Sequence, residues 1–146
     1  TDDNFTTSEA FMSWLAGQES YSDSEILHIQ WGCTAKGLDG AYSESYDEIL
    51  GNALFYDPVT YAKMLAYPGV MDDETRCFAI TGAAFYGELF PEQEQTAAKS
   101  LDAAISANTL TAEETGWAKL LRYYLVTPSE DGSFADYPKA PAELEN

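Results

Sequence analysis

The sequence predicts an all-α protein with about seven helices packed as antiparallel hairpins. Three observations favour this class: helix-start signals recur along the chain, apolar residues recur at spacings of three and four, and the connecting segments are short. A chain of 146 residues has the size of one domain. We therefore expect a single helical domain over residues 1–128, followed by an extended acidic C-terminal tail over residues 129–146.

Several helix starts are indicated by a capping box, in which Ser or Thr is followed three residues later by Glu. The hydroxyl and the carboxylate each accept a hydrogen bond from a backbone N–H group that has no partner within the first turn. The pairs are Thr6–Glu9, Ser22–Glu25, Ser45–Glu48 and Thr111–Glu114. Each pair predicts a helix that begins at its hydroxyl residue.

Further helix starts follow from prolines and from a run of acidic residues. Pro58, after Asp57, and Pro91, after Phe90, fit the first turn of a helix, because the N–H that proline lacks would have no intrahelical acceptor there. The acidic run Asp72–Glu74 suits the positive end of a helix dipole, and it predicts a helix that begins at Asp72.

Apolar residues lie on one face of most of the predicted helices. The longest stripe has the i, i+3, i+4, i+7, i+8 spacing of an amphipathic helix, and it consists of Tyr46, Ile49, Leu50, Ala53 and Leu54. The segment Cys77–Phe90 differs, because it is apolar almost all round and contains Gly82 and Gly87. We expect it to be the central helix, whose small residues let neighbouring backbones approach closely.

The segment Ser24–Cys33, "SEILHIQWGC", holds the only histidine of the chain together with a tryptophan and a cysteine. Its alternating apolar residues allow a strand, but the capping box at Ser22 favours a helix that ends near Gly37. One side of that helix would carry Ile26, Ile29, Gln30 and Cys33, with Leu27 and Trp31 paired beside it. His28 projects elsewhere, with no partner that the spacing identifies.

Two helix starts about 40 residues apart, "DDET" at Asp72–Thr75 and "AEET" at Ala112–Thr115, resemble each other. This period fits a solenoid of HEAT or armadillo size. Acidic residues at helix starts are also common for dipole reasons alone. An irregular helical bundle and a short HEAT-like solenoid therefore both stay open.

The chain carries 25 acidic and 7 basic residues, a net charge of −18 with a pI near 4.1. Binding of nucleic acid draws its affinity from basic residues that neutralise phosphates, so this composition excludes DNA and RNA as expected partners. No apolar run approaches the ~18 residues that a membrane-spanning helix needs, so we expect no membrane insertion. Because the chain begins with Thr1 rather than Met, we expect it to be either processed or trimmed, with a lean towards an extracytoplasmic or secreted protein whose targeting segment was removed.

The sequence predicts no catalytic centre, no cofactor and no metal site. General acid–base chemistry at neutral pH most often uses histidine, and His28 is the only one in the chain. A zinc site with several histidines is therefore impossible within one chain. Cys33 and Cys77 could form a disulfide or remain two free thiols. One set of carboxylates accompanies tyrosines in the way a glycosidase site would, namely Asp47, Glu48 and Asp57. Helix capping and core packing account for this set more simply.

We therefore expect a non-enzymatic, acidic helical domain that binds another protein and belongs to a bacterial extracytoplasmic protein. The candidate partner-binding residues are Asp72, Asp73, Glu113, Glu114 and Tyr123. If the 40-residue period is real, the four acids share a rim at the helix N-termini. Two alternatives stay open: an immunity-type or inhibitor protein that neutralises a basic partner, and a carbohydrate-binding or carbohydrate-active module that uses Tyr, Trp and carboxylates.

Overall fold

The computed structural model describes residues 20–34 and 40–126, and within these ranges the chain is all-helical, with no strand. There are six α-helices and one short 3-10 helix in this part of the chain. The α-helices are α1 (Asp23–Trp31), α2 (Gly40–Tyr56), α3 (Pro58–Leu65), α4 (Asp73–Gly87), α5 (Pro91–Ser106) and α6 (Ala112–Val126). The 3-10 helix, Gly32–Thr34, follows α1 directly. The helix expected from Thr6 and the domain boundary at residue 128 lie outside the described ranges. The helix that was expected to end near Gly37 ends instead at Trp31.

Most of the predicted helix starts within the described residues are confirmed. At the start of α1, the Ser22 backbone N–H donates to Glu25 Oε1 (2.7 Å) and the Glu25 N–H donates to Ser22 Oγ (3.1 Å). Thr111 and Glu114 form the same reciprocal pair before α6, at 3.0 and 3.1 Å. Asp57 caps α3 ahead of Pro58, and α5 begins at Pro91.

The predicted start at Ser45 is wrong, because α2 already begins at Gly40 and Ser45 lies inside it. Residues three apart share a helix face throughout a helix, so the spacing of Ser45 and Glu48 does not by itself distinguish a start from an interior. The strand alternative for Ser24–Cys33 is also wrong. Most of that segment is helix α1, which ends at Trp31 and continues as the 3-10 helix.

Helix α4 packs against α1, α2, α5, α6 and the 3-10 helix. Its contact with α2 depends on Gly51, since a Cβ atom at that position would lie 2.4 Å from Cδ2 of Tyr86. The expectation of a helix that is apolar on all sides as far as Phe90 needs correction. The helix ends at Gly87, and Phe85, Leu89 and Phe90 are exposed, with Leu89 as much as 70% accessible.

Buried polar side chains join the helices through backbone carbonyl groups. Tyr46 Oη donates to the carbonyl oxygen of Ile29 in α1 (2.7 Å), and Tyr61 Oη donates to that of Ala79 in α4 (2.7 Å). Gln30 Nε2 donates to the Tyr61 carbonyl oxygen (2.9 Å). These bonds run between different helices, so they specify how α1, α2, α3 and α4 fit together as well as satisfying buried polar atoms.

Arg76, in the first turn of α4, ties that helix to the end of α3. Its Nε donates to the carbonyl oxygen of Leu65 (2.6 Å) and one terminal nitrogen donates to that of Tyr67 (3.2 Å). The other terminal nitrogen pairs with Asp73 (2.7 Å), and the guanidinium lies 5.6 Å from the ring centroid of Trp117 in α6. Arg76 therefore caps the C-terminus of α3, where unpaired carbonyls favour a cation.

Candidate interaction groove

A groove of about 380 Å³ runs between α1 and the segment formed by the end of α3 and the turn after it. We call it the α1–α3 groove. Its described lining residues are Asp23, Ser24, Leu27, His28, Trp31, Met64, Tyr67 and Val70. On α1, Asp23, Leu27 and Trp31 are spaced by four residues and so lie along one face of the helix. The opposite side of α1, with Ile26 and Ile29, is buried in the core.

Large apolar side chains around this groove remain in contact with solvent. Trp31 is 46% exposed, Tyr67 47% and Val70 39%. The imidazole of His28 lies 5.6 Å from the Trp31 ring, tilted by 42°, so His28 has a neighbour that the sequence reasoning did not identify. Single exposed apolar residues are ordinary, but several around one concave surface are typical of a binding site.

None of the residues predicted from the sequence to bind a partner lines this groove. The Leu27 and Trp31 pair at i, i+4 was visible in the sequence, on a helix whose other face was filled by isoleucines. Tyr67 and Val70 carry no such signal, because they lie in a turn distant in sequence and reach the groove only when α3 packs against α1.

The four acids predicted to bind a partner lie at the starts of α4 and α6, which the contact of Arg76 with Trp117 brings together, whereas Tyr123 lies in the last turn of α6. Three of the acids have local structural roles: Asp72 caps α4, Asp73 pairs with Arg76, and Glu114 completes the capping box of α6. Hydrogen bonds from Thr75 lower the pKa of the Asp72 carboxyl. Glu113 is exposed, as is Tyr123, whose ring packs edge-on against Tyr124 at 5.1 Å.

A second cleft, of about 570 Å³, lies between the α4–α5 turn and the end of α6. Its described lining is Glu88, Pro91, Glu94, Gln95, Tyr124, Leu125 and Val126. A Cβ atom at Gly87 would lie 3.2 Å from both Glu94 Oε2 and Phe55 Cζ, so the Glu94 carboxyl group packs on bare backbone beside an aromatic ring. This burial, with the nearby charge of Glu88, raises the pKa of Glu94 to about 7.

Several members of the carboxylate and tyrosine set expected of a glycosidase site have structural roles. Asp57 accepts hydrogen bonds from the N–H (3.1 Å) and hydroxyl (2.8 Å) of Thr60. Tyr46 and Tyr61 are buried, and their hydroxyl groups bind backbone carbonyls. Among the described residues, no three His, Cys, Asp or Glu side chains cluster in a way that could hold a metal ion.

Both cysteines are free thiols in the structure. Cys33 Sγ lies 3.5 Å from the carbonyl oxygen of Thr75, to which the thiol donates. Burial raises the pKa of Cys33 to about 12 and that of Cys77 to about 11. Since the thiolate is the reactive form, neither residue has the properties of a nucleophilic cysteine.

Within the described residues, no helix is both long and apolar enough to cross a lipid bilayer. The lining of the α1–α3 groove includes the exposed aromatic rings of Trp31 and Tyr67, whereas the second cleft is bordered by the carboxylates of Glu88 and Glu94. Comparison with protein-family models, with curated proteins and with solved structures finds no match for this chain.

Proposed function

We propose that this chain is a non-enzymatic, acidic helical domain that binds another protein, and that the partner docks in the α1–α3 groove. The observation that carries this proposal is the joint exposure of Trp31, Tyr67 and Val70 around one concave surface. Trp and Tyr are the residues most often responsible for the binding energy of protein interfaces, since they bury a large area with few rotatable bonds.

Covering the exposed side chains of the groove would contribute favourably to the free energy of binding. Covering a large apolar side chain contributes about 1.5–3 kcal/mol relative to leaving it in water. Trp31 and Tyr67 are each about half exposed, so a partner that covers both, together with Val70, gains several kcal/mol before the cost of association. The core of the domain does not need these contacts, because the buried residues of α1 lie on its other face.

The four acids at the starts of α4 and α6, namely Asp72, Asp73, Glu113 and Glu114, lie at the edge of the proposed surface rather than at its centre. Asp72, Asp73 and Glu114 are held by caps and by an ion pair, and exposed charges at the edge of an interface mainly affect the association rate. We assign Glu113 and Tyr123, which are both exposed, the same peripheral role.

The proposal also includes the arrangement of the helices. We infer an irregular bundle of about seven helices rather than a solenoid, with antiparallel hairpins and an extended acidic tail from residue 129. The packing of α3 against α1, α2, α5 and α6 supports a bundle, because in a solenoid each repeat contacts only its neighbours along the chain.

The test uses a helical peptide of about 18 residues, long enough to form a helix, with a leucine stripe and a neutral glutamine polar face. We expect its titration into the ¹⁵N-labelled protein to shift backbone amide signals of α1 and of residues 64–70. Trp31→Ala is expected to weaken binding about tenfold, the loss of roughly 1.4 kcal/mol.

Phe85→Ala is the matched control, since Phe85 is a similarly exposed aromatic residue on α4, outside the groove. Equal affinity of the wild type and Trp31→Ala would refute the groove as the docking site. Signal shifts in the groove on titration with a soluble glucose oligosaccharide, without any on titration with the peptide, would instead make it a carbohydrate site.

A further inference from the structure

We infer that the partner segment received by the α1–α3 groove is a basic amphipathic helix, with an apolar stripe facing the groove and lysine or arginine on its flanks. This inference rests on the proposed function, because it names the chemistry of the partner at the same surface. It follows from the length of the groove, from the charge around it, and from the way the arginines of this chain are already used.

The groove has the length of about two helical turns. Its lining residues on α1 extend from Asp23 to Trp31, and eight residues of helix rise about 12 Å. An amphipathic helix presents its anchor side chains at i, i+3 or i+4, and i+7, which is a span of about 10 Å. The anchors of one helix therefore match the distance between the two ends of the groove.

The net negative charge of the chain favours a cationic helix as the partner. Asp23 lies at one end of the groove, and none of its described lining residues is Lys or Arg. The net charge of −18 attracts a basic segment from a distance and repels an acidic one.

Both arginines of the chain already have acidic or carbonyl partners. Arg76 is bound to Asp73 and to the end of α3, and the Arg122 Nε lies 2.5 Å from the Asp102 carboxylate. Neither arginine lines the groove, so neither offsets the negative charge there.

The same charge argues against two other occupants. A second copy of this chain would also carry −18, and close approach of two such surfaces is opposed by repulsion. An anionic lipid surface repels the domain for the same reason. For a basic amphipathic helix, the burial of apolar surface and the electrostatic attraction both favour binding.

The experiment compares three peptides of about 18 residues that share one leucine stripe and differ only in their polar face, which is Lys, Gln or Glu. Affinities are measured by isothermal titration calorimetry at low salt and again at about 0.5 M salt, where charges are screened over a few ångströms. We expect the Lys peptide to bind at least tenfold more tightly than the Gln peptide at low salt, and the Glu peptide more weakly than either. At high salt the affinities of the Lys and Gln peptides should converge.

Variants separate groove binding from general attraction between opposite charges. Trp31→Ala and Tyr67→Ala should each weaken binding of the Lys peptide about tenfold, while Phe85→Ala leaves it within twofold. Asp23→Asn should lower the affinity for the Lys peptide and leave that for the Gln peptide unchanged. Circular dichroism establishes that each variant is folded.

The possible failures are distinguishable. If the Gln and Glu peptides bind the groove as tightly as the Lys peptide, the inferred partner chemistry is wrong and the proposed function stands. If the Lys peptide binds equally well to the wild type, Trp31→Ala and Tyr67→Ala, the attraction is unspecific and the inference is wrong. If no peptide shifts the groove signals, the proposed function itself fails, and the inference fails with it.

Discussion

Replacement of Arg76 by methionine should destabilise the domain by about 3 kcal/mol, because one guanidinium group joins three helices. The side chain is only 14% exposed, and it donates to the carbonyl oxygens of Leu65 and Tyr67. Methionine keeps much of the length and apolar contact of the stem but donates no hydrogen bond. The end of α3 would then lose the cation that caps it.

The magnitude follows from the separate contacts. A hydrogen bond from a charged donor contributes about 1.5–3 kcal/mol, and two of them are lost. The exposed ion pair with Asp73 adds about 0.5 kcal/mol, and the contact with the Trp117 ring about 1 kcal/mol. The rotamer entropy recovered when the arginine is removed offsets about 1–2 kcal/mol. With each hydrogen bond taken at the lower end of its range, since the bond to Tyr67 is exposed, roughly 3 kcal/mol remains.

Urea denaturation followed by circular dichroism measures this loss. With a slope of about 2 kcal/mol per molar urea, the midpoint should fall by roughly 1.5 M. Arg76→Lys should restore less than half, because an ammonium group cannot donate in the directions of both carbonyls and Asp73 at once.

Arg122→Met is the control for loss of charge, since Arg122 is 41% exposed and pairs with Asp102 on the surface. It should cost no more than about 1 kcal/mol. A loss for Arg76→Met no larger than that for Arg122→Met would refute the role assigned to Arg76.

Three further predictions concern packing, pH and thiol chemistry. Gly51→Ala should lower the urea midpoint, because the new Cβ would lie 2.4 Å from the Tyr86 ring, and this clash outweighs the higher helix propensity of alanine. An unchanged or higher midpoint would contradict that contact. The pKa of Glu94 is raised in the folded state to about 7, so the folded state binds the proton of this carboxyl group more tightly than the unfolded state does. The free energy of unfolding therefore falls as pH rises from about 4.5 to 7. Glu94→Gln should therefore raise the free energy of unfolding at pH 8 by about 1 kcal/mol, a value reduced because water partly screens the carboxyl group. This gain should vanish near pH 4.5. Thiol titration with a disulfide reagent at pH 8 should label Cys33 and Cys77 slowly in the native protein and rapidly in urea, and rapid native labelling would contradict their raised pKa values.

The helix starts were predictable because each depends on residues three or four positions apart. The reciprocal bonds of Ser22 with Glu25 and of Thr111 with Glu114 form as the sequence indicates. The start of α2 was missed because Ser45 and Glu48 have the spacing of a capping box but lie within a helix that begins at Gly40. Local spacing identifies a possible cap, and whether the helix extends beyond it depends on more than those two residues.

The candidate site was predictable only in part. The charge of −18 and the Leu27 and Trp31 pair are properties of the sequence. The contributions of Tyr67 and Val70 come from a turn that reaches α1 through packing, and no spacing along the chain indicates them. Most of the acids chosen from the sequence cap helices or pair with Arg76. An acidic residue at a helix start has the same sequence pattern whether it stabilises the helix dipole or binds a partner, so the sequence does not distinguish the two roles.

By itself, the sequence determined the helical class, most of the helix starts in the described residues, and the acidic character of the protein, because short-range hydrogen bonds and net charge do not depend on how helices are arranged. The tertiary structure alone decided that Arg76 caps α3, that Tyr46 and Tyr61 bind carbonyls of other helices, and that aromatic rings surround a groove. These features join residues far apart in the chain, and side-chain packing selects them from many pairings that local patterns leave equally possible.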